Sequence, residues 1–103
     1  MASLRALRDQ LPFMFYVYLL ECQDDKSWYI GYTDDLKARI ARHNAGTGAR
    51  TTSLKKNWKL IYYEAYLLKA DALGREKFLK SGSGRNYLKK QLKNYLARHE
   101  ATK

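Results

Sequence analysis

Two alternating sets of positions are apolar at once between Phe13 and Glu21: Phe13, Phe15, Val17 and Leu19 on one, Met14, Tyr16, Tyr18 and Leu20 on the other. A strand apolar on both faces is covered on both, which predicts a central strand. Gln23-Asp24-Asp25-Lys26 is a polar turn, and Trp28-Tyr29-Ile30-Gly31-Tyr32 returns as a second strand. A hairpin makes the sheet at least partly antiparallel. Thr33, Asp34 and Asp35 are good helix N-caps, and the helix they open runs to about Ala45, before Gly46. Trp58 to Tyr66 is rich in β-formers and predicts a third strand. Two helices follow, about Ala70 to Lys80 and Gly84 to His99, joined by a Ser81-Gly82-Ser83-Gly84 hinge. In the last one, Leu88, Leu92, Tyr95 and Leu96 form a core stripe while Lys89, Lys90 and Lys93 face outward. The predicted order is β-β-α-β-α-α, a small mixed α/β domain of the α+β kind over 13–99. Residues 1–12 read as an appendage stopped by Pro12, and 100–103 as a tail.

Composition narrows what this domain meets. The chain has 103 residues, 20 Lys+Arg against 10 Asp+Glu, and a formal charge of +10. Such an excess points to polyanions, nucleic acid before an anionic membrane. At 46% hydrophobic and 14% aromatic residues, the chain is not a disordered basic tail. A single cysteine, Cys22, excludes an internal disulfide framework and a multi-cysteine zinc module. Arg5 and Arg8 precede an apolar run from Leu11 to Leu20, as in a signal peptide. The residues that follow, Glu21-Cys22-Gln23-Asp24, offer no small-residue cleavage site. No stretch approaches the ~18–20 apolar residues of a membrane span. The expected location is the cytoplasm.

Three groups of residues are candidates for chemistry. Tyr18 and Tyr29 sit on the two strands of the hairpin, which can bring both phenols to one face; Gly31 marks a close backbone approach nearby. Strand tyrosines are ordinarily core residues, so the pair alone decides nothing. On the helix after the hairpin, Arg39 and His43 lie at i and i+4, with Arg42 beside them. Arginine suits phosphate through its planar, permanently charged fork, although a solvated basic helix face has the same spacing. Glu76 shares a stripe with Ala72 and Leu79, so it is expected to be partly buried and to need a partner. A divalent cation fits that need, as does an i, i+4 pair with Lys80. Glu64 is the other acid in a position to ligate metal. Arg50, Lys55, Lys56 and Arg85 add basic residues in loops and at the Gly/Ser hinge, where a phosphate could meet the last helix.

In this order and spacing, the residues resemble the GIY-YIG nuclease superfamily, especially small stand-alone members similar to the N-terminal nuclease domain of the excinuclease C subunit. The first signature stands here as Tyr16-Val17-Tyr18 and the second as Tyr29-Ile30-Gly31. The family's helix arginine falls on Arg39, its histidine one turn later on His43, and its glutamate on Glu76 within Arg75-Glu76-Lys77-Phe78-Leu79-Lys80. The likeness extends from about Phe13 to Leu96. Tyr32 stands where members often carry Lys or Ser.

The resemblance implies a three-stranded antiparallel sheet flanked by helices and a metal-dependent DNA endonuclease. It implies Tyr18, Tyr29, Arg39, His43 and Glu76 as catalytic residues, with Glu76 holding Mg²⁺ or Mn²⁺. A free tyrosine has pKa ≈ 10, so Tyr18 needs neighbouring positive charge to act as base or nucleophile. Arg42, Lys55, Lys56, Arg85, Lys89, Lys90 and Lys93 are the expected DNA contacts. With no part of these residues left over for a separate recognition domain, cutting is expected to follow DNA structure or damage rather than sequence. The alternative is a non-catalytic nucleic-acid-binding module of the same fold.

Overall fold

In the computed structural model, which describes residues 12–46, 48 and 55–101, the double apolar run becomes β1, Phe15–Cys22. It is the middle strand of a three-stranded sheet, flanked by β2, Trp28–Thr33, and β3, Trp58–Tyr66. Both neighbours run antiparallel to it; Tyr18 lies opposite Gly31 on one side and Tyr63 on the other. The β1–β3 register slips between Leu19 and Leu20, which face Tyr62 and Leu60 and leave Ile61 as the extra residue.

The strand's two apolar sets are used by different helices. Val17 and Leu19 pack with Ala72, Leu79 and Leu88, which come from α2, Lys69–Leu79, and α3, Gly82–Gln91. Tyr18, Leu20 and Cys22 join Trp58, Tyr29, Leu36 and Ile40, the last two from α1, Leu36–Asn44. Among the described residues a fourth helix, α4, Lys93–Ala101, closes the chain, and no helix is long and apolar enough to cross a membrane. Residues 1–11 of the N-terminal appendage 1–12, Arg50 and the last two residues lie outside the described residues.

The mixed α/β class, the element order and the central strand agree with the sequence pattern. Two details of its C-terminal part do not. Gly82-Ser83-Gly84 is the first turn of α3 rather than a hinge; Ser81 caps it by accepting from the Gly84 amide at 3.1 Å. Gly84 is needed for packing, since a Cβ there would stand 2.0 Å from the Phe78 carbonyl oxygen. The last helix is also two helices. Leu92, at φ −101° and ψ 20°, breaks the run, and α4 then docks through Tyr95, whose hydroxyl donates to Glu21 at 2.8 Å. The leucine stripe continues through the break and so does not reveal it.

Candidate active site

The site begins at Gly31. A Cβ at that position would lie 2.3 Å from the Tyr18 hydroxyl oxygen, so the absence of a side chain lets the Tyr18 ring lie across edge strand β2. The hairpin register places Tyr18 and Tyr29 on the same face, with ring centroids 6.3 Å apart. Helix α1 supplies the rest. Asp35 accepts from the Ala38 amide at 3.2 Å and sets where the helix starts. Gly46, at φ +78°, ends it just beyond His43 and donates to the His43 carbonyl at 3.1 Å. Asn44 fastens that end to β3 by accepting from the Trp58 amide at 2.8 Å and donating to its carbonyl at 3.0 Å. The helix therefore cannot slide, and His43 is held fully buried.

Its imidazole Nε2 stands 2.8 Å from the Tyr18 hydroxyl, and its ring centroid is 4.9 Å from that of Tyr29. Burial first, then Arg39 and Arg42, push the His43 pKa down to about 4, so the ring is neutral near pH 7. Burial pushes the Tyr18 phenol up to about 12, against a hydrogen bond from Arg39 that acts in the opposite direction. A guanidinium only donates, so the phenol oxygen accepts from Arg39, and the direction of the 2.8 Å hydrogen bond between the phenol and His43 Nε2 follows the histidine tautomer. The same hydrogen bond raises Arg39 above its ordinary value. Arg39 Nε is nonetheless buried with no hydrogen-bond partner, a donor that costs free energy until an acceptor arrives.

A cavity of about 460 Å³ opens beside this cluster, and Arg39, Arg42 and Lys69 all line it, with Tyr32 as one wall. The Lys69 ammonium stands 5.9 Å from the Tyr32 ring centroid. Glu76 comes from α2 on the opposite face. Its charge reaches both Tyr18 on the central strand and Tyr32 on edge strand β2. The Glu76 side chain is 19% exposed and receives the Lys80 ammonium at 3.2 Å. The described residues contain no cluster of three or more His, Cys, Asp or Glu able to cage a metal. The carboxylates that line the cavity are those of Asp34 and Asp35, and Glu76 stands outside its lining. A single half-buried carboxylate such as Glu76 suits a hard cation that keeps most of its water, as Mg²⁺ does.

The structure thus brings Tyr18, Tyr29, Arg39, Arg42 and His43 together, with Glu76 within electrostatic reach. Other expected contacts are elsewhere. Lys55 is paired with Asp25 at 2.7 Å beside the hairpin turn, and the Lys56 carbonyl accepts from Cys22 at 3.4 Å. Lys89, Lys90 and Lys93 are exposed on α3 and the start of α4. Arg85 lies over the Trp28 ring, 5.2 Å from its centroid. Glu64 is not a metal ligand: Arg75 donates to both its oxygens, at 2.8 and 3.0 Å, and Tyr62 and Tyr66 donate to them as well. Sequence reasoning missed Lys69 and the wall formed by Tyr32. Nothing at the head of α2 marks Lys69 in sequence, whereas Tyr32 was visible as an aromatic just after Gly31.

Fold and site together define a small aromatic-and-arginine centre on a three-stranded sheet. The chain matches the GIY-YIG catalytic domain over residues 14–94 and belongs to that family, which points to a nuclease and to nucleic acid as its class of substrate. It is 42% identical over 88 residues to the UPF0213 protein SpyM50708 of Streptococcus pyogenes serotype M5, covering 85% of this chain and 90% of that protein. The UPF0213 protein MGAS10270_Spy1222 of serotype M2 is similar to the same extent. The solution NMR structure of the UPF0213 protein BH0048 from Bacillus halodurans is 38% identical, with a TM-score of 0.46, covering 73% of this chain and 81% of that one.

Proposed function

We propose that this chain is a divalent-metal-dependent endonuclease that hydrolyses phosphodiester bonds in DNA, selecting DNA structure or damage rather than sequence. One observation carries the reading: a buried phenol that accepts from an arginine and shares a 2.8 Å hydrogen bond with a buried histidine, beside an arginine nitrogen without a partner.

The chemistry follows from those groups. A scissile phosphate enters the cavity lined by Arg39, Arg42 and Lys69, and gives the orphaned Arg39 Nε–H its acceptor. The fork of Arg39 then meets the charge that grows on the non-bridging oxygens. With its pKa near 12, Tyr18 is a neutral phenol, and a neutral phenol accepts a proton only as it gives up its own. His43, neutral because its pKa is near 4, receives that proton at Nε2. Water therefore loses its proton to Tyr18, Tyr18 passes one to His43, and the new O–P bond forms as the P–O bond to the leaving oxygen breaks. The imidazolium formed beside Arg39 and Arg42 is unfavourable and returns the proton readily. Tyr29, packed against both the Tyr18 and His43 rings, keeps the two in line. Glu76 would hold the Mg²⁺ or Mn²⁺, which would supply charge neutralisation for the leaving group.

Nicking of supercoiled plasmid in Mg²⁺, Mn²⁺ or EDTA tests this, with Arg39→Ala and Glu76→Ala beside the wild type. Nicking in either cation, with none in EDTA or by either variant, is expected. Equal cutting by all proteins would remove the catalytic assignment. Salt-sensitive DNA binding with no nicking would leave a binding module of the same fold.

A further inference from the structure

A second cavity, of about 230 Å³, opens on the other side of β2, between that strand and the junction of α2 with α3. Its floor is apolar, formed by Ile30, Leu79 and Leu88. Its rim is cationic. Arg85 projects from α3 with its guanidinium over the Trp28 ring, and Lys80 stands at the end of α2. Trp28 cannot turn away, because its Nε1–H donates to the buried carboxylate of Glu21 at 3.1 Å. The cavity also adjoins the active site twice: Tyr29 borders it, and Lys80 is the residue paired with Glu76.

We propose that this cavity is a subsite for one unstacked nucleobase of the DNA strand being cut, a reading that rests on the proposed function. Its volume is below the ~300 Å³ at which pockets for drug-sized ligands begin, so it fits a ring system rather than a whole nucleotide. An apolar floor, a fixed indole and a planar guanidinium offer a flat, uncharged ring what it needs on its faces and edges. The flanking ammonium of Lys80 meets the phosphate attached to that nucleoside. A base in a paired, stacked duplex cannot enter, so the subsite favours single-stranded or distorted DNA next to the scissile bond. The charge of Arg85 would serve any phosphate, but its position over the Trp28 ring suits a flat base.

The test is equilibrium binding in EDTA, where cleavage is silent, to a short oligothymidylate and to a blunt duplex of the same length. Fluorescence anisotropy of a dye on each probe is the readout. Arg85→Ala and Arg85→Lys, both at an exposed helix position, are each expected to weaken oligothymidylate binding about tenfold. Duplex affinity should change less than twofold in Arg85→Lys. If Arg85→Lys binds both probes like the wild type, or if both substitutions weaken the two probes equally, Arg85 is only a phosphate contact and the base subsite is overturned. If the wild type binds neither probe, the nucleic-acid reading fails first and the subsite with it.

Discussion

Against α2, α3 and α4 the sheet presents Val17 and Leu19, which meet Ala72, Leu79 and Leu88, and two carboxylates that are fully engaged. Glu64 takes both nitrogens of Arg75 and two phenols. Glu21, 2% exposed, takes Tyr95, Trp28 and Gln23. Against α1 the same central strand presents Tyr18, next to a histidine whose pKa is pushed down and an arginine nitrogen with no partner. Both faces bury polar groups. One face pairs its polar groups with one another, while the other leaves a donor open beside a histidine held neutral. Unsatisfied groups of this kind destabilise a fold unless something else binds there, which is why they mark the side where substrate goes.

The largest effect that would break this contrast is kinetic. His43→Gln keeps a polar side chain but cannot take a proton, so the nicking rate should fall about 10³-fold. What remains should rise about tenfold per pH unit between pH 7 and 9, because the phenol must then ionise by itself. A His43→Gln enzyme with the wild-type rate and pH profile would show that the Tyr18–His43 contact is only packing.

On the satisfied face the corresponding change should cost stability and leave the active-site chemistry untouched. Arg75→Ala strands the Glu64 carboxylate, whose pKa burial raises and hydrogen bonds, Arg75 first, bring down below its ordinary value. It should destabilise the fold by about 3 kcal/mol, as removal of one partner of a largely buried pair does. Urea denaturation measures this, and the nicking rate of the remaining folded protein should stay within about twofold. A large loss of rate without loss of stability would contradict the division between the faces.

The unsatisfied face also predicts how stability depends on acid. His43 has a pKa of about 4 in the folded chain against about 6.5 in the unfolded one. Between those values the unfolded chain binds a proton that the folded chain refuses. Stability is therefore complete above about pH 6.5 and declines as the pH falls toward 4, by about 3 kcal/mol in all. Thermal denaturation across that window should show the decline in the wild type and a shallower one in His43→Gln. Equal slopes would mean that His43 titrates normally. The smallest effect belongs to neither face: Lys89→Ala with Lys93→Ala, on the exposed outer helices, should weaken DNA binding severalfold and reduce its salt dependence without altering the cation requirement.

Much of this was legible in the chain. The doubly apolar run from Phe13 predicted a central strand because alternation is a property of residue order alone. Likewise Asp35 and Gly46 bracketed α1, because capping is local. The break at Leu92 and the helical start at Gly82 were not legible, since both depend on contacts across the fold: Tyr95 reaching Glu21, and Gly84 lying against the Phe78 carbonyl. The site was readable as a set of residue types at matching spacings. Its electrostatics were not, because the neutral state of His43 and the open Arg39 Nε exist only when α1 buries them against β1. Glu64 shows the reverse error: an acid that looked available for metal is consumed by Arg75, eleven residues further along the chain.

The central claim is that the Tyr18 hydroxyl takes part in the reaction itself. Single-turnover cleavage by Tyr18→Phe, with DNA affinity measured in EDTA, tests it most directly. The ring is retained, so the substitution removes only the hydroxyl that meets His43 and Arg39. A rate lower by about 10³-fold or more, with affinity within about twofold of the wild type, is the predicted result. A variant that cleaves within tenfold of the wild-type rate would contradict the account.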